Sequence, residues 1–277
     1  MAETDDTTAS DDTPLFEPSG GSGFAPTMYT RGPWDPSLQH GGPVAALFAT
    51  LLERRAADGY QPARLTVDLM RPVPVQPLEA AARVVRTGKR LQLLEGVLTW
   101  NGTEVARASL LALRREPVDT AAQNPTLAPS PDDPGTHPEP WMLHGGESFV
   151  GGAMDFRLHD TGLGAGVGWF RLHRPVLPGV PISPLVRAAA ASDVGNAVSA
   201  RRTQVAVTFV NADISLSLSR LPEGDWIRLA SRSRWETSGI GWVASEIGDR
   251  LGQFGAVSNA LVLAPATGPL PFEPPPA

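Results

Sequence analysis

Apolar residues recur along this chain of 277 residues in two rhythms, and the two rhythms appear twice in the same order. From Pro43 to about Ala57, Val44, Leu47, Phe48, Leu51 and Leu52 fall on one face of a helix. Pro43 suits the first helical position and Asp58-Gly59 closes the run. A strand of period two follows in "RLTVDLMRP", where Leu65, Val67 and Leu69 alternate with polar neighbours. Farther along, Ser183 and Pro184 form a cap and first position for the apolar run "LVRAAAA", which Gly195-Asn196 is expected to stop. A second period-two strand, "DISLSLSRLP", alternates Ile214, Leu216 and Leu218. Each strand ends in Arg or Arg-Leu before a proline. Each is followed by three more strand-like stretches, with turns at Gly88 and Gly102 in the first block and at Gly239 and Gly252 in the second. A duplicated unit of one helix and an antiparallel sheet accounts for this order most simply.

Composition divides the chain around these blocks. Residues 1–22 are acidic and polar without periodicity, and read as a loosely held tail. The first block covers 23–116, a proline-rich linker 117–147, the second block 148–265, and a proline-rich tail 266–277. With 42% hydrophobic residues the chain can build a real core. A net charge of −6 without a basic face argues against a nucleic-acid partner. No cysteine is present, so disulfides, thiolate nucleophiles and Cys-based metal sites are ruled out. No apolar run reaches the ~18–20 residues of a membrane helix and no leader precedes the blocks, so no membrane partner and a cytoplasmic location are expected.

The stretch "QHGGPVAAL" raises a chemical question, because two glycines at the mouth of a helix cost backbone entropy. Either the amides around Gly41 and Gly42 are meant to hold a developing oxyanion beside His40, or the glycines permit a tight approach into the helix while His40 packs or faces water. In the second block Leu185, Ala189 and Asp193 are spaced i, i+4, i+8, so the Asp193 carboxylate lies on the apolar stripe near a helix C-terminus. Such a placement costs stability, so replacing Asp193 by Asn is expected to leave stability unchanged or to raise it slightly. It suits a general base, or a polar residue at a frayed helix end bonded near Gly195 or Asn196. "RTGKR" ends like a phosphate loop but reads as a hairpin turn, and "MLHGGESF" repeats His-Gly-Gly within a loop. Histidines 137, 144, 159 and 173 show no metal-ligand spacing. Exposed arginines, among them Arg86, Arg90, Arg201 and Arg202, are cations that suit phosphates or solvent equally.

The stretches "WDPSLQHGGPVAAL", "LMRPVPVQPLEAAARVVRTGKR", "ASDVGN", "FVNADISLSLSRLPEGDW" and "GQFGAVSNALVL" together resemble the double-hotdog acyl-CoA thioesterases, the thioesterase II-like family. The resemblance covers about 24–116 and 148–265. It implies an α+β tandem hotdog, two antiparallel sheets each wrapping a central helix, paired in one chain. It implies hydrolysis of an acyl-CoA or carrier-bound acyl thioester without a metal or other cofactor, a place in lipid metabolism, and room for homo-oligomers of such double units. In the family an Asp, a Thr and a Gln hold the attacking water. Asp193 matches the Asp, Asn211 stands at the Thr position and Asn259 at the Gln position, one methylene shorter. The site expected from the resemblance thus joins His40, Gly41 and Gly42 of the first half to Asp193, Asn211 and Asn259 of the second. Binding of an acyl or polyketide-like ligand without hydrolysis is the other reading. A hydratase needs a histidine beside the carboxylate, and none accompanies Asp193 in its own motif.

Overall fold

The structure, a computed structural model, describes residues 13–119, 130–132, 147–162, 164–199 and 207–266. The first block holds strands β1 (Phe16–Pro18) and β2 (Gly23–Pro26), helix α1 (Gly41–Glu53), and strands β3 (Tyr60–Asp68), β4 (Leu78–Thr87), β5 (Leu91–Trp100) and β6 (Thr103–Arg114). The second holds the one-turn helix α2 (Phe149–Gly152), strands β7 (Met154–Gly162) and β8 (Ala165–Leu172), helices α3 (Pro184–Ala191) and α4 (Gly195–Ser199), and strands β9 (Val207–Asn211), β10 (Asp213–Leu218), β11 (Ile227–Trp235), β12 (Ile240–Asp249) and β13 (Gly252–Pro265). All described pairings are antiparallel, in the order β1-β2-β4-β5-β6-β3-β10-β13-β12-β11-β8-β7, with β9 also on β13.

The two sheets of the double hotdog are therefore one, joined where β3 meets β10. These are the two period-two strands of the repeat, and their buried residues sit opposite one another, Val67 against Ile214 and Leu65 against Leu216. Equivalent strands paired antiparallel across a seam relate the halves by a pseudo-twofold axis. The glycine turns lie where the pattern places them: Asn101 and Gly102 both take positive φ in the two-residue β5–β6 connection, as a type I′ hairpin demands.

The helices differ from their sequence expectations in ways that packing explains. Pro43 stands at the third helical position, because α1 starts at Gly41. Its buried surface is not one stripe: Ala45, Ala46, Ala49 and Thr50 are buried along with Val44, Leu47, Phe48 and Leu52. One side faces the sheet and the other packs on the alanine-rich α3, so the helix is central rather than amphipathic. Ser183 caps α3 by accepting the Val186 N–H at 3.2 Å. That helix ends at Ala191 rather than at Gly195, which instead opens α4. Gly195 lies so close to the sheet that a Cβ there would come within 2.7 Å of Ser245 Oγ.

The tail also departs from expectation. Residues 1–12 lie outside the described residues, but Leu15 and Phe16 are fully buried and donate their amides to Pro175 O and Val176 O. The end of the first block's tail is thereby fastened to the second block. Two adjacent apolar residues produce no periodicity, yet they suffice for a strand of three. Most of the linker 117–147 and the tail 266–277 lies outside the described residues. "MLHGGESF" is described only from Glu147, where it leads into α2. No helix among the described residues is long and apolar enough to cross a membrane.

The seam carries buried area from both halves, so its loss is felt by the whole molecule. Leu216→Ala, at a fully buried position opposite Leu65, is expected to lower stability by about 2–5 kcal/mol. Urea unfolding followed by tryptophan fluorescence reads this as a lower midpoint.

Candidate functional site

Where α1 begins, the two halves exchange polar contacts. Gly42 N–H donates to Asp193 Oδ2 at 2.7 Å, across the boundary between the blocks. His40 caps α1 and brings Nδ1 against the same Oδ2. The Gly42 amide lies 3.5 Å from His40 Nδ1, well beyond its distance to the carboxylate, so its hydrogen belongs to Asp193. Nδ1 must then carry a proton, since two lone pairs at that separation would repel. This tautomer leaves Nε2, on the far side of the ring, as the acceptor atom.

Asn211, at the end of β9, holds the other carboxylate oxygen. Its Nδ2 donates to Asp193 Oδ1 at 2.5 Å and to Asp193 O at 2.9 Å. Its Oδ1 accepts from Asn196 Nδ2 at 2.5 Å. Burial works to raise the Asp193 pKa, but attraction to His40 and hydrogen bonds from His40, Asn211 and Gly42 outweigh it and hold the carboxyl below the usual range. The expectation of a carboxylate stranded at a helix C-terminus is thus corrected. Asp193 lies just beyond α3, but at the positive N-terminus of α1, where a negative charge is favoured.

This geometry accounts for both glycines. A Cβ on Gly41 would stand 2.6 Å from Asp193 Oδ1, and one on Gly42 would stand 2.5 Å from the Phe149 ring and 2.9 Å from Ala190 O. Neither position has room for a side chain. The amides have separate uses: Gly42 N–H is committed to Asp193, Pro43 has none, and Gly41 N–H has no acceptor among the described residues. Of the two amides expected to be free, one is.

A cavity of about 490 Å³ opens over this point and is lined by both halves. Arg31, Trp34, Gln39, His40, Gly41 and Val44 come from the first block, and Val150, Asp193, Asn196, Phe209 and Asn211 from the second. The Trp34 ring meets Phe209 edge-on, with centroids 5.0 Å apart, closing an apolar wall across the halves. Asn259 is absent from that lining. It is buried on the inward face of β13, and its Nδ2 donates to Asp213 O at 3.1 Å and Ser192 O at 3.4 Å. The structure therefore brings five of the six expected residues together and gives Asn259 the place of a strut under the end of α3. Arg86 and Arg90 do not line the cavity, whereas Arg31 and Arg71 do; Arg201 and Arg202 lie outside the described residues. A histidine does stand beside Asp193, from outside its own motif: His40, supplied from the other half.

Residues 30–113 match the acyl-CoA thioesterase N-terminal domain and residues 120–264 the acyl-CoA thioesterase C-terminal domain. The chain belongs to the acyl-CoA thioesterase family. Among solved structures it is similar to the TesB protein of Mycobacterium avium subspecies paratuberculosis, at 17% identity over 90% of this chain and 96% of that one, with a TM-score of 0.65. Acyl-CoA thioesterase II TesB2 of Mycobacterium marinum is 17% identical over 94% and 97%, also at 0.65. A hot dog fold protein of Alicyclobacillus acidocaldarius is 18% identical over 92% and 97%, at 0.68. At these identities the likeness is one of fold, and it is the hotdog. No curated protein matches the sequence.

Within this family member, sequence reasoning missed the His40–Asp193 pair, Asn196, and the Trp34–Phe209 wall. Asn196 stood in the quoted motif "ASDVGN", three residues after the carboxylate, and that short spacing was the available signal.

Because Asp193 is a satisfied charge, Asp193→Asn is expected to destabilise, by about 2 kcal/mol, contrary to the placement argument from sequence. The lowered folded pKa means this stabilisation is complete above the unfolded value of about 4 and is lost as pH falls through the folded value. Thermal melts of the two proteins should differ at pH 7 and converge as the pH drops below about 4.

Proposed function

We propose that this chain hydrolyses acyl thioesters, with the His40–Asp193 pair as general base and the mouth of α1 as the oxyanion site. The observation that carries the reading is an ionised, three-way-anchored carboxylate that fixes a histidine tautomer at one end of an apolar cavity. A water attacks the thioester carbonyl carbon and gives its proton to His40 Nε2. The carbonyl oxygen takes up the negative charge and accepts from Gly41 N–H, at the positive end of the α1 dipole. The C–S bond then breaks, the sulfur leaves with the proton from His40, and acid and thiol are released.

Sequence alone points to Asp193 as the group that activates water directly. Its contacts favour an indirect role, since Oδ2 already accepts twice and Oδ1 accepts from Asn211. A depressed pKa also makes the carboxylate a weak base. Asn211 acts as a positioning residue: both amide ends are engaged within the protein, so it orients Asp193 rather than water. The acyl group fits the apolar wall of the cavity, and CoA or a carrier fits the thiol side. A second reading rests on the same pair, because a histidine beside a carboxylate is also what hydration of an enoyl thioester requires.

Thiol release from acyl-CoAs of increasing chain length tests this. Asp193→Asn and His40→Gln are each expected to lower kcat by about two orders of magnitude or more, with the fold retained by circular dichroism. A His40→Gln variant close to wild type would return the proton to Asp193 itself. Wild-type binding without thiol release would favour acyl-ligand binding, and loss of enoyl absorbance from a 2-enoyl-CoA would favour hydration.

A further inference from the structure

Far from the cavity, the outer face of the second half's sheet carries a fully buried tryptophan where solvent is expected. Along β7, β8 and β11 the alternation sends Phe156, Leu158, Phe170 and Leu229 into the core, so Arg157, Trp169 and Arg228 face away from it. These three stand directly opposite one another in register, and Trp169, between the two arginines, has no exposed surface. Trp226 precedes β11 and takes the guanidinium groups of Arg171 and Arg157 over its ring, 5.1 and 5.7 Å from the centroid. Arg232 extends the same face of β11 and is exposed. The cations outnumber the carboxylates beside them. Asp155 is spent on Arg171 at 2.6 Å and Glu236 on Arg234 at 2.8 Å. Burial lowers the Arg228 pKa although Glu246 opposes this, and Arg157 and Arg232 make no ion pair with any described residue.

The chain brings a counter-charge to this place. Leu15 and Phe16 donate in step to Pro175 O and Val176 O, so the two segments run parallel, and Thr13 O accepts from Arg174 Nη1 at 3.4 Å. Before Thr13 the chain is therefore directed back along the end of β8, toward Arg171. Residues 1–12 hold five acids, Glu3, Asp5, Asp6, Asp11 and Asp12, and no lysine or arginine. Ten extended residues reach about 33 Å, whereas β7 and β11 lie only about 10 Å apart at the spacing of neighbouring strands. We propose that the acidic segment 3–12 docks on the Arg157–Trp169–Arg228 face of the sheet, its carboxylates pairing with Arg157 and Arg232. The segment supplies the negative charge that the described residues leave short there, and it continues the fastening that Leu15 and Phe16 begin.

The sequence has no cysteine, so Thr7→Cys in the full chain carries a nitroxide label at a single site. The indole N–H resonance of Trp226, assigned by its loss in Trp226→Phe, reports how near that label comes. At about 10 mM salt, where charges act over ~30 Å, the label is expected to erase the resonance. Neutralising the segment with Glu3→Gln, Asp5→Asn, Asp6→Asn, Asp11→Asn and Asp12→Asn should restore it, as should about 1 M salt, where the range falls to ~3 Å. A Trp226 signal that survives the label, or that is erased equally in the neutral segment, overturns the proposal. Thermal melts at low salt read the same pairing. The neutral segment and the double variant Arg157→Gln, Arg232→Gln should each lower the melting temperature by roughly 2–4 °C, and their combination by no more than either alone. Additive losses overturn the proposal, and if the arginine variant does not fold the label decides alone.

Discussion

The attraction between one carboxylate and one helix N-terminus holds this molecule's working parts in place. Asp193 belongs to the second half, and the Gly42 amide and His40 that receive it belong to the first. For the contact to form, α1 must present bare backbone, which is why Gly41 and Gly42 stand there. The α3 backbone must also come within van der Waals reach of Gly42, which is why both helices are rich in alanine where they meet. The continuous sheet serves the same end. Antiparallel pairing of β3 with β10 fixes the separation of the halves to the spacing of neighbouring strands, and the two helices inherit that spacing. Gly255 shows how close the fit is, since a Cβ there would fall 2.1 Å from Ser217 O on the adjoining strand.

Much of the fold was legible in the sequence because it rests on local periodicity. The alternation of Leu65 and Val67, and of Ile214, Leu216 and Leu218, marks strands whatever surrounds them, and turns such as Asn101-Gly102 punctuate the hairpins. The start of α1 was not legible, because Gly41 and Gly42 are poor helix formers and are there for what approaches them. Strand β9 and helix α4, of five residues each, are too short to display a period. At the site, Asp193 announced itself as a charge on an apolar stripe, but the sign of its effect on stability depended on a helix end some 150 positions away. The His40 partnership was hidden for the same reason. Asn259 shares the inward face of β13 with Val257 and Leu261, and periodicity places it there without saying which backbone carbonyls it meets.

The amides around the carboxylate form a chain with a direction. An ionised group at one end leaves each successive Asn a single orientation, from Asn211 to Asn196, so the charge is felt at a distance as fixed polarity rather than as field. Neutral side chains thereby acquire defined donor and acceptor ends in an interior that could otherwise accept either. The cavity carries both the apolar pair of Trp34 and Phe209 and this polar chain, as a ligand with one greasy and one polar portion requires.

The pseudo-twofold axis has a second end, where α1 finishes and α3 begins. There Ser183 donates its hydroxyl to Glu53 Oε2 at 2.5 Å, a carboxylate from the last residue of one helix meeting the first turn of the other, as Asp193 does across the axis. The two acids are not equivalent and they behave oppositely: burial raises the Glu53 pKa despite the Ser183 bond, whereas Asp193 is held low. Counted from the helix start, the position matching Asp193 in α1 is Thr50, whose hydroxyl folds back onto Ala46 O. In a dimer of identical subunits, every substitution is made at both faces together. Fusion into a single polypeptide releases each face from the other, so the helix ends at one face can form a latch while those at the other border a cavity.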